Sequence, residues 1–154
     1  MTGMAVQPPG HPVGRFQVHA SPAEASAFRQ ALGVTGTGTG PGLPLTYPVR
    51  WLALPEVRAA VQQALGGATG TGQPGEAPPG VMVHLQQRFT YASPLQAGAR
   101  YAMALYLEAD AQLDSFAVHA EILSGDRLCC RAEGRFALVA QAIAPQKSAT
   151  MGTR

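Results

Sequence analysis

From Val81 to Tyr91 the chain alternates: Val81, Val83, Leu85, Phe89 and Tyr91 fall on one side, and His84, Gln86, Arg88 and Thr90 on the other. This period of two predicts a strand with one dry and one wet face, Gln87 being the one polar residue on the dry side. Ser93-Pro94 then predicts a bend and Gly98 a return, so that this strand and the next one, Arg100 to Glu108, are expected to form a hairpin. Tyr101, Met103, Leu105 and Leu107 share one face of that second strand. Leu113 to Leu123 directs Phe116, Val118, Ala120 and Ile122 inward. After the turn Ser124-Gly125-Asp126, Arg127 to Ala140 alternates Leu128, Cys130, Ala132, Gly134, Phe136 and Leu138 against Cys129, Arg131, Glu133 and Arg135.

The first half reads differently. Arg15 to Ala20 is a short strand, with Phe16, Val18 and Ala20 on one side. Ser21-Pro22-Ala23-Glu24 predicts a helix start, because Ser21 can cap, Pro22 suits the first turn and Glu24 completes a capping box. The helix runs to about Leu32, with Ala27, Phe28, Ala31 and Leu32 on its apolar face and Gly33 placed for a left-handed C-terminal residue. Pro48 to Leu65 predicts the main helix, Pro55 being a first-turn residue and Leu54, Val57, Val61, Ala64 and Leu65 its apolar stripe. One strand, two helices and four antiparallel strands, with only the helices able to cover the dry face, give an α+β architecture.

Composition bounds the function. The 154 residues suffice for one domain with a hydrophobic core, and 46% of them are hydrophobic, yet no apolar run approaches a bilayer span. The start of the chain has no signal-peptide pattern, so a soluble, cytoplasmic protein is expected. A net charge of +2 with 13% charged residues offers no basic stripe, which argues against nucleic acid and anionic membrane as partners. Cys129 and Cys130 are adjacent in a strand, a geometry that disfavours a disulfide and provides no metal-ligand spacing; no metal site and no cofactor are expected. The expected organisation is a flexible N-terminal tail over residues 1–14, a single domain over 15–140 with a flexible Gly/Pro-rich linker at 66–80, and a flexible C-terminal tail over 141–154. The Gly/Thr run from Val34 to Leu45 is not a phosphate loop, since no Gly-Lys-Ser/Thr ending or following helix is present and the run comes after a helix.

The element order β-α-α-β-β-β-β is that of the hot-dog fold, an antiparallel five-stranded sheet wrapped around a central helix. Two motifs carry a closer resemblance. Pro44-Leu45-Thr46-Tyr47-Pro48 is similar to a Pro-Pro-Thr-Phe-Pro segment, and His84 to Gly98, HLQQRFTYASPLQAG, is similar to His-Gly-x-x-x-Phe-x-Tyr-x-x-Pro-Leu-x-x-Gly. On these the sequence resembles the MaoC-like acyl dehydratases, in particular their N-terminal half-domain. The resemblance spans about Arg15 to Ala140. It departs at Ala99, where the family has Asp, and at Val34 to Leu45, which replaces a commonly polar segment.

The resemblance implies (R)-specific hydration or dehydration of enoyl thioesters by an Asp and a His spaced D-x-x-x-x-H between the two helices, with N–H groups at the helix start polarising the thioester carbonyl. From Gln30 to Tyr47 this chain has no Asp, Glu, His, Lys or Arg. The expectation is therefore a non-catalytic subunit of fatty acid metabolism that binds acyl thioesters of coenzyme A or acyl carrier protein. It would act as a homodimer or as a heterodimer with a catalytic hot-dog chain. The alternative is an active hydratase-dehydratase or thioesterase that uses unconventional residues, with His84 the one catalytic candidate. Candidate substrate-binding residues are Tyr47, Trp51, His84, Gln86 and Arg88. For each a plainer role is available: His84, Gln86 and Arg88 suit a solvated or interface-lining strand face, and Tyr47 and Trp51 suit core anchors. His19, His119, Glu121, Asp110 and Asp114 are explained by charge pairing and turn chemistry, and Arg131, Glu133 and Arg135 by cross-strand pairing on a wet face.

Overall fold

The alternation and the capping signals become eight elements in the computed structural model, which describes residues 10–34, 40–68, 81–110 and 115–139. In order they are β1 (Gly14–His19), α1 (Pro22–Ala31), α2 (Pro48–Leu52), α3 (Pro55–Ala68), β2 (Val81–Tyr91), β3 (Arg100–Asp110), β4 (Ser115–Ser124) and β5 (Arg127–Val139). The expected tails and most of the 66–80 linker lie outside the described residues, while 66–68 belong to the end of α3.

The capping box at α1 forms as its sequence dictates. Ser21 Oγ accepts from Glu24 N at 3.1 Å, and the Glu24 carboxylate accepts from Ser21 N at 2.8 Å. Gly33 takes φ 70° just beyond the helix, a left-handed conformation that costs a glycine little. The buried face of α1 differs from the expected one: Ala25 is buried and Phe28 packs on the core, whereas Leu32 is 51% exposed. The single helix expected from Pro48 to Leu65 is two helices, separated at Ala53 and Leu54. The ring of Pro55 cannot continue an established helix and instead opens a new one. Val57, Val61 and Leu65 of its stripe are buried.

All five strands form one antiparallel sheet in the order β1-β3-β4-β5-β2. The expected hairpin between β2 and β3 is therefore not made: β2 pairs with β5 at one edge, and β3 lies between β1 and β4. The segment after Tyr91 is a crossover. Leu95 within it is 1% exposed, so it acts as a hydrophobic anchor that draws the chain beneath the sheet's end. Backbone bonds then pin the crossover from several sides: Ala92 N and Ser93 N donate to Cys129 O, Leu43 N to Leu95 O, Ala97 N to Pro41 O and Gly98 N to Ala20 O. Gly98 sits at φ 80°, where a side chain would be strained.

The register assembles inner-face rows that run across the sheet. One is Phe16, Met103, Ile122, Cys130 and Tyr91; another is Leu105, Ala120, Ala132 and Phe89. These are the dry positions expected from the alternation of β3, β4 and β5. The opposite face carries the charges: Arg131 pairs with Glu121 at 3.0 Å, Arg135 with Glu133 at 3.4 Å and His119 with Glu108 at 3.2 Å. Helix α3 contacts the β1 and β3 side of the inner face.

Candidate functional site

Because α3 sits toward β1 and β3, a space is left over the β4, β5 and β2 half of the sheet. It is a cavity of about 270 Å3. Val49 and Leu52 of α2, Ala53 and Val57, Arg58 and Val61 of α3 form one wall. Met82, His84 and Gln87 of β2, with Phe116, Val118, Gly134 and Phe136 of the central strands, form the other. The lining is almost entirely apolar. Its polar members are Arg58, His84 and Gln87, and no carboxylate lines it among the described residues.

His84 is there because β2 changes phase. The pairing with β5 shifts between His84 and Gln86, which leaves Leu85 as an extra residue in a bulge. A single extra residue in a period-two structure exchanges the faces. Before the bulge Met82 and His84 face inward and Val83 is outward, 40% exposed; after it Gln87, Phe89 and Tyr91 face inward. The expected placement of His84 on the wet face, with Val83 and Leu85 on the dry one, is thus corrected: Leu85 is 61% exposed. Gln86 and Arg88 do lie on the outer face, opposite Arg135 and Glu133, and do not line the cavity.

The His84 ring is held on two sides. It stacks on Phe136 with centroids 4.7 Å apart and planes 16° from parallel. Its Nε2 is 3.0 Å from the carbonyl oxygen of Gln86. A carbonyl can only accept, so Nε2 carries the proton and, in the neutral imidazole, Nδ1 carries the lone pair. Gln87 donates from Nε2 to the Glu133 carbonyl at 3.1 Å, which gives the amide nitrogen a partner on the apolar face.

Tyr47 and Trp51 stand apart from this cavity, at 2% and 3% exposure. Tyr47 packs edge-on between Phe28 and Trp51, at 5.1 and 5.5 Å. Trp51 donates from Nε1 to the His19 carbonyl at 3.1 Å, and burial raises the Tyr47 phenol above its ordinary value. Both are core anchors that join α1 and α2 to β1. Of the five candidate residues, the structure brings only His84 to the cavity. Arg58, Gln87, Gly134 and Phe136 join it there. Gln87 was signalled by its polarity on a dry stripe and Gly134 by its place in the inner alternation of β5, whereas nothing local marked Arg58.

Residues 40–45 are tied down through their backbone carbonyls. The Arg29 guanidinium donates to the Gly40 and Gly42 carbonyls, and Tyr91 Oη donates to Leu45 O at 2.6 Å. Burial and the neighbouring Cys130 push the Tyr91 phenol far up. Burial likewise pushes the Cys130 thiol up to about 11, so this buried thiol is a poor nucleophile at neutral pH. Both cysteines are free and buried. No group of metal-ligating side chains occurs among the described residues, and no helix among them is long and apolar enough to cross a membrane.

No protein-family model matches the sequence, nor does any curated protein. Solved structures do match its fold. HtdX of Mycobacterium tuberculosis superposes with a TM-score of 0.60 at 16% identity, covering 91% of this chain and 51% of that one. A candidate thioesterase of Pseudomonas aeruginosa gives 0.56 at 14% identity, over 85% and 87% of the two chains. The HadBC complex of M. tuberculosis, a (3R)-hydroxyacyl-ACP dehydratase, gives 0.53 at 16% identity, over 79% and 92%. The chain has the hot-dog fold, in which solved neighbours include thioesterases and dehydratases.

Proposed function

We propose that this chain is a MaoC-like hot-dog subunit that binds acyl thioesters of coenzyme A or acyl carrier protein and does not hydrate them on its own. The observation that carries the reading is the cavity, apolar along its walls and bordered by Arg58, His84 and the first turn of α3. An acyl chain is matched by the walls. A polar thioester head is matched by a cationic side chain and by the N–H groups that a helix start leaves without intrahelical partners. The thioester chemistry named for HadBC is consistent with this assignment. No cofactor is needed for it.

Absence of turnover follows from the residues. Hydration needs one group to take a proton from water and a second to deliver one; the segment from Gln30 to Tyr47 has no carboxylate in its sequence, and the cavity wall has none among the described residues. The proposed assembly is a pair, either of two copies or with a catalytic hot-dog chain, joined through the free edge of β2. A cytoplasmic role in fatty acid metabolism goes with that proposal.

A second reading is favoured by the face on which His84 lies. Its imidazole borders the cavity, with Nδ1 as the proton acceptor of the neutral ring, so an enzyme that uses His84 alone has a physical basis. Hydration of crotonyl coenzyme A and hydrolysis of saturated acyl coenzyme A separate the two. The purified chain is expected to do neither. Turnover that falls about a hundredfold or more in His84→Ala would establish the enzyme and overturn the binding-subunit reading.

A further inference from the structure

We propose that the cavity takes a free medium-chain carboxylate as well as an acyl thioester, with the Arg58 guanidinium as the counter-ion of the carboxylate. The proposal rests on the acyl-chain part of the reading above and not on the thioester. It starts from what the lining offers to the head of a ligand. Only Arg58, His84 and Gln87 bring polar side chains to the wall among the described residues. His84 uses its Nε2 proton on the Gln86 carbonyl at 3.0 Å, and Gln87 uses one amide proton on the Glu133 carbonyl at 3.1 Å. The neutral imidazole then keeps only an acceptor, and the amide keeps one N–H and its oxygen.

Arg58 differs from both. No ion pair or side-chain hydrogen bond among the described residues engages it. Glu56, two residues earlier on α3, is not part of the lining, and residues at that spacing do not face each other on a helix. The cavity thus carries one permanent positive charge, and no carboxylate of the described wall balances it. A thioester is neutral and leaves that charge as it is. A carboxylate neutralises it, and its two oxygens match the guanidinium fork in paired, charge-assisted bonds about twice as strong as neutral ones. Arg58 is itself exposed, so water shares its charge and the preference belongs at the low end for such bonds, about tenfold.

The test is calorimetric titration of the full chain with octanoate, with its neutral isostere octanamide, and with octanoyl coenzyme A. The wild type should bind octanoate about tenfold more tightly than octanamide. Arg58→Gln should remove that preference and leave octanamide binding little changed, whereas Arg58→Lys should keep part of it. Arg50→Gln, which removes an exposed charge of α2 outside the lining, should leave it intact. Equal binding of octanoate and octanamide, or a preference that Arg58→Gln leaves in place or that Arg50→Gln removes equally, would overturn the proposal. If octanoyl coenzyme A binds in that case, the thioester reading survives without it. If octanoate binds with the Arg58-dependent preference and octanoyl coenzyme A does not bind, this proposal stands and the thioester reading fails. If neither octanoate nor octanamide binds, the cavity takes no alkyl chain and the proposal falls.

Discussion

The carboxyl of Glu24 caps α1 most strongly when ionised, because a charged acceptor strengthens the bond from Ser21 N. It accepts from Ser21 N, and that bond, followed by one from the Ser21 side chain, holds its pKa below the ordinary 4.5. A folded pKa depressed below the unfolded value contributes stability that is fully present above the unfolded pKa and is lost as the pH falls through the folded one. The melting temperature of Glu24→Gln should therefore lie below that of the wild type at neutral pH, and the gap should close as the pH falls below the ordinary carboxyl value and through the depressed folded one. A gap that stays constant with pH would show that the charge contributes nothing. This feature was legible in the sequence, because a capping box is a local pattern of Ser, Pro and Glu at fixed spacing. The inward side of His84 was not. It follows from one extra residue at Leu85, and neither Leu85 nor its neighbours are the glycines that would announce a bulge.

Strand β2 is the element on which most of the argument turns. Its existence and bounds follow from its alternation, but its neighbour does not. Ser93-Pro94 resembles a tight turn, and only the burial of Leu95 and the bonds to Pro41, Leu43 and Cys129 show why the chain crosses under instead of folding back. Strand pairing is a non-local choice, made by which apolar faces fit together, so a turn signal alone cannot decide it. The result leaves β2 at the edge of the sheet, with Val83, Leu85 and Val139 among its exposed apolar residues and those of its partner strand. An edge with unpaired backbone groups and an apolar margin tends to be covered by another strand. The proposed pairing through β2 predicts a dimer by light scattering at micromolar concentration, converted towards monomer by Leu85→Lys. A monomeric wild type with no partner chain present would contradict pairing between two copies and leave only pairing with a different hot-dog chain. A dimer unaffected by Leu85→Lys would place the interface elsewhere.

At the scale of the molecule, the hot-dog fold was readable because the element order and the inward alternation of β3, of β4 and of β5 from Cys130 onward carry through the sheet; before Cys130 a register shift between Ile122 and Leu123 breaks the expected phase, and Cys129, expected on the wet face, is buried. The cavity was not readable, because it arises from how three separated pieces meet. Pro55 splits the long helix and sets the direction of α3 toward β1 and β3; the β2 bulge turns Met82 and His84 inward; Gly134 removes a side chain from the middle of the inner face. Each is a small local departure, and together they leave apolar walls uncovered. Burying a ligand's methylenes there is worth about 0.8 kcal/mol each, which places the binding energy in the acyl chain and not in the nucleotide. Calorimetric titration of octanoyl coenzyme A against free coenzyme A tests this directly. The account predicts that octanoyl coenzyme A binds at least a hundredfold more tightly, on the order of 3 kcal/mol or more, with the negative heat-capacity change of apolar burial. Equal affinity for the two, or no binding of either, would contradict it.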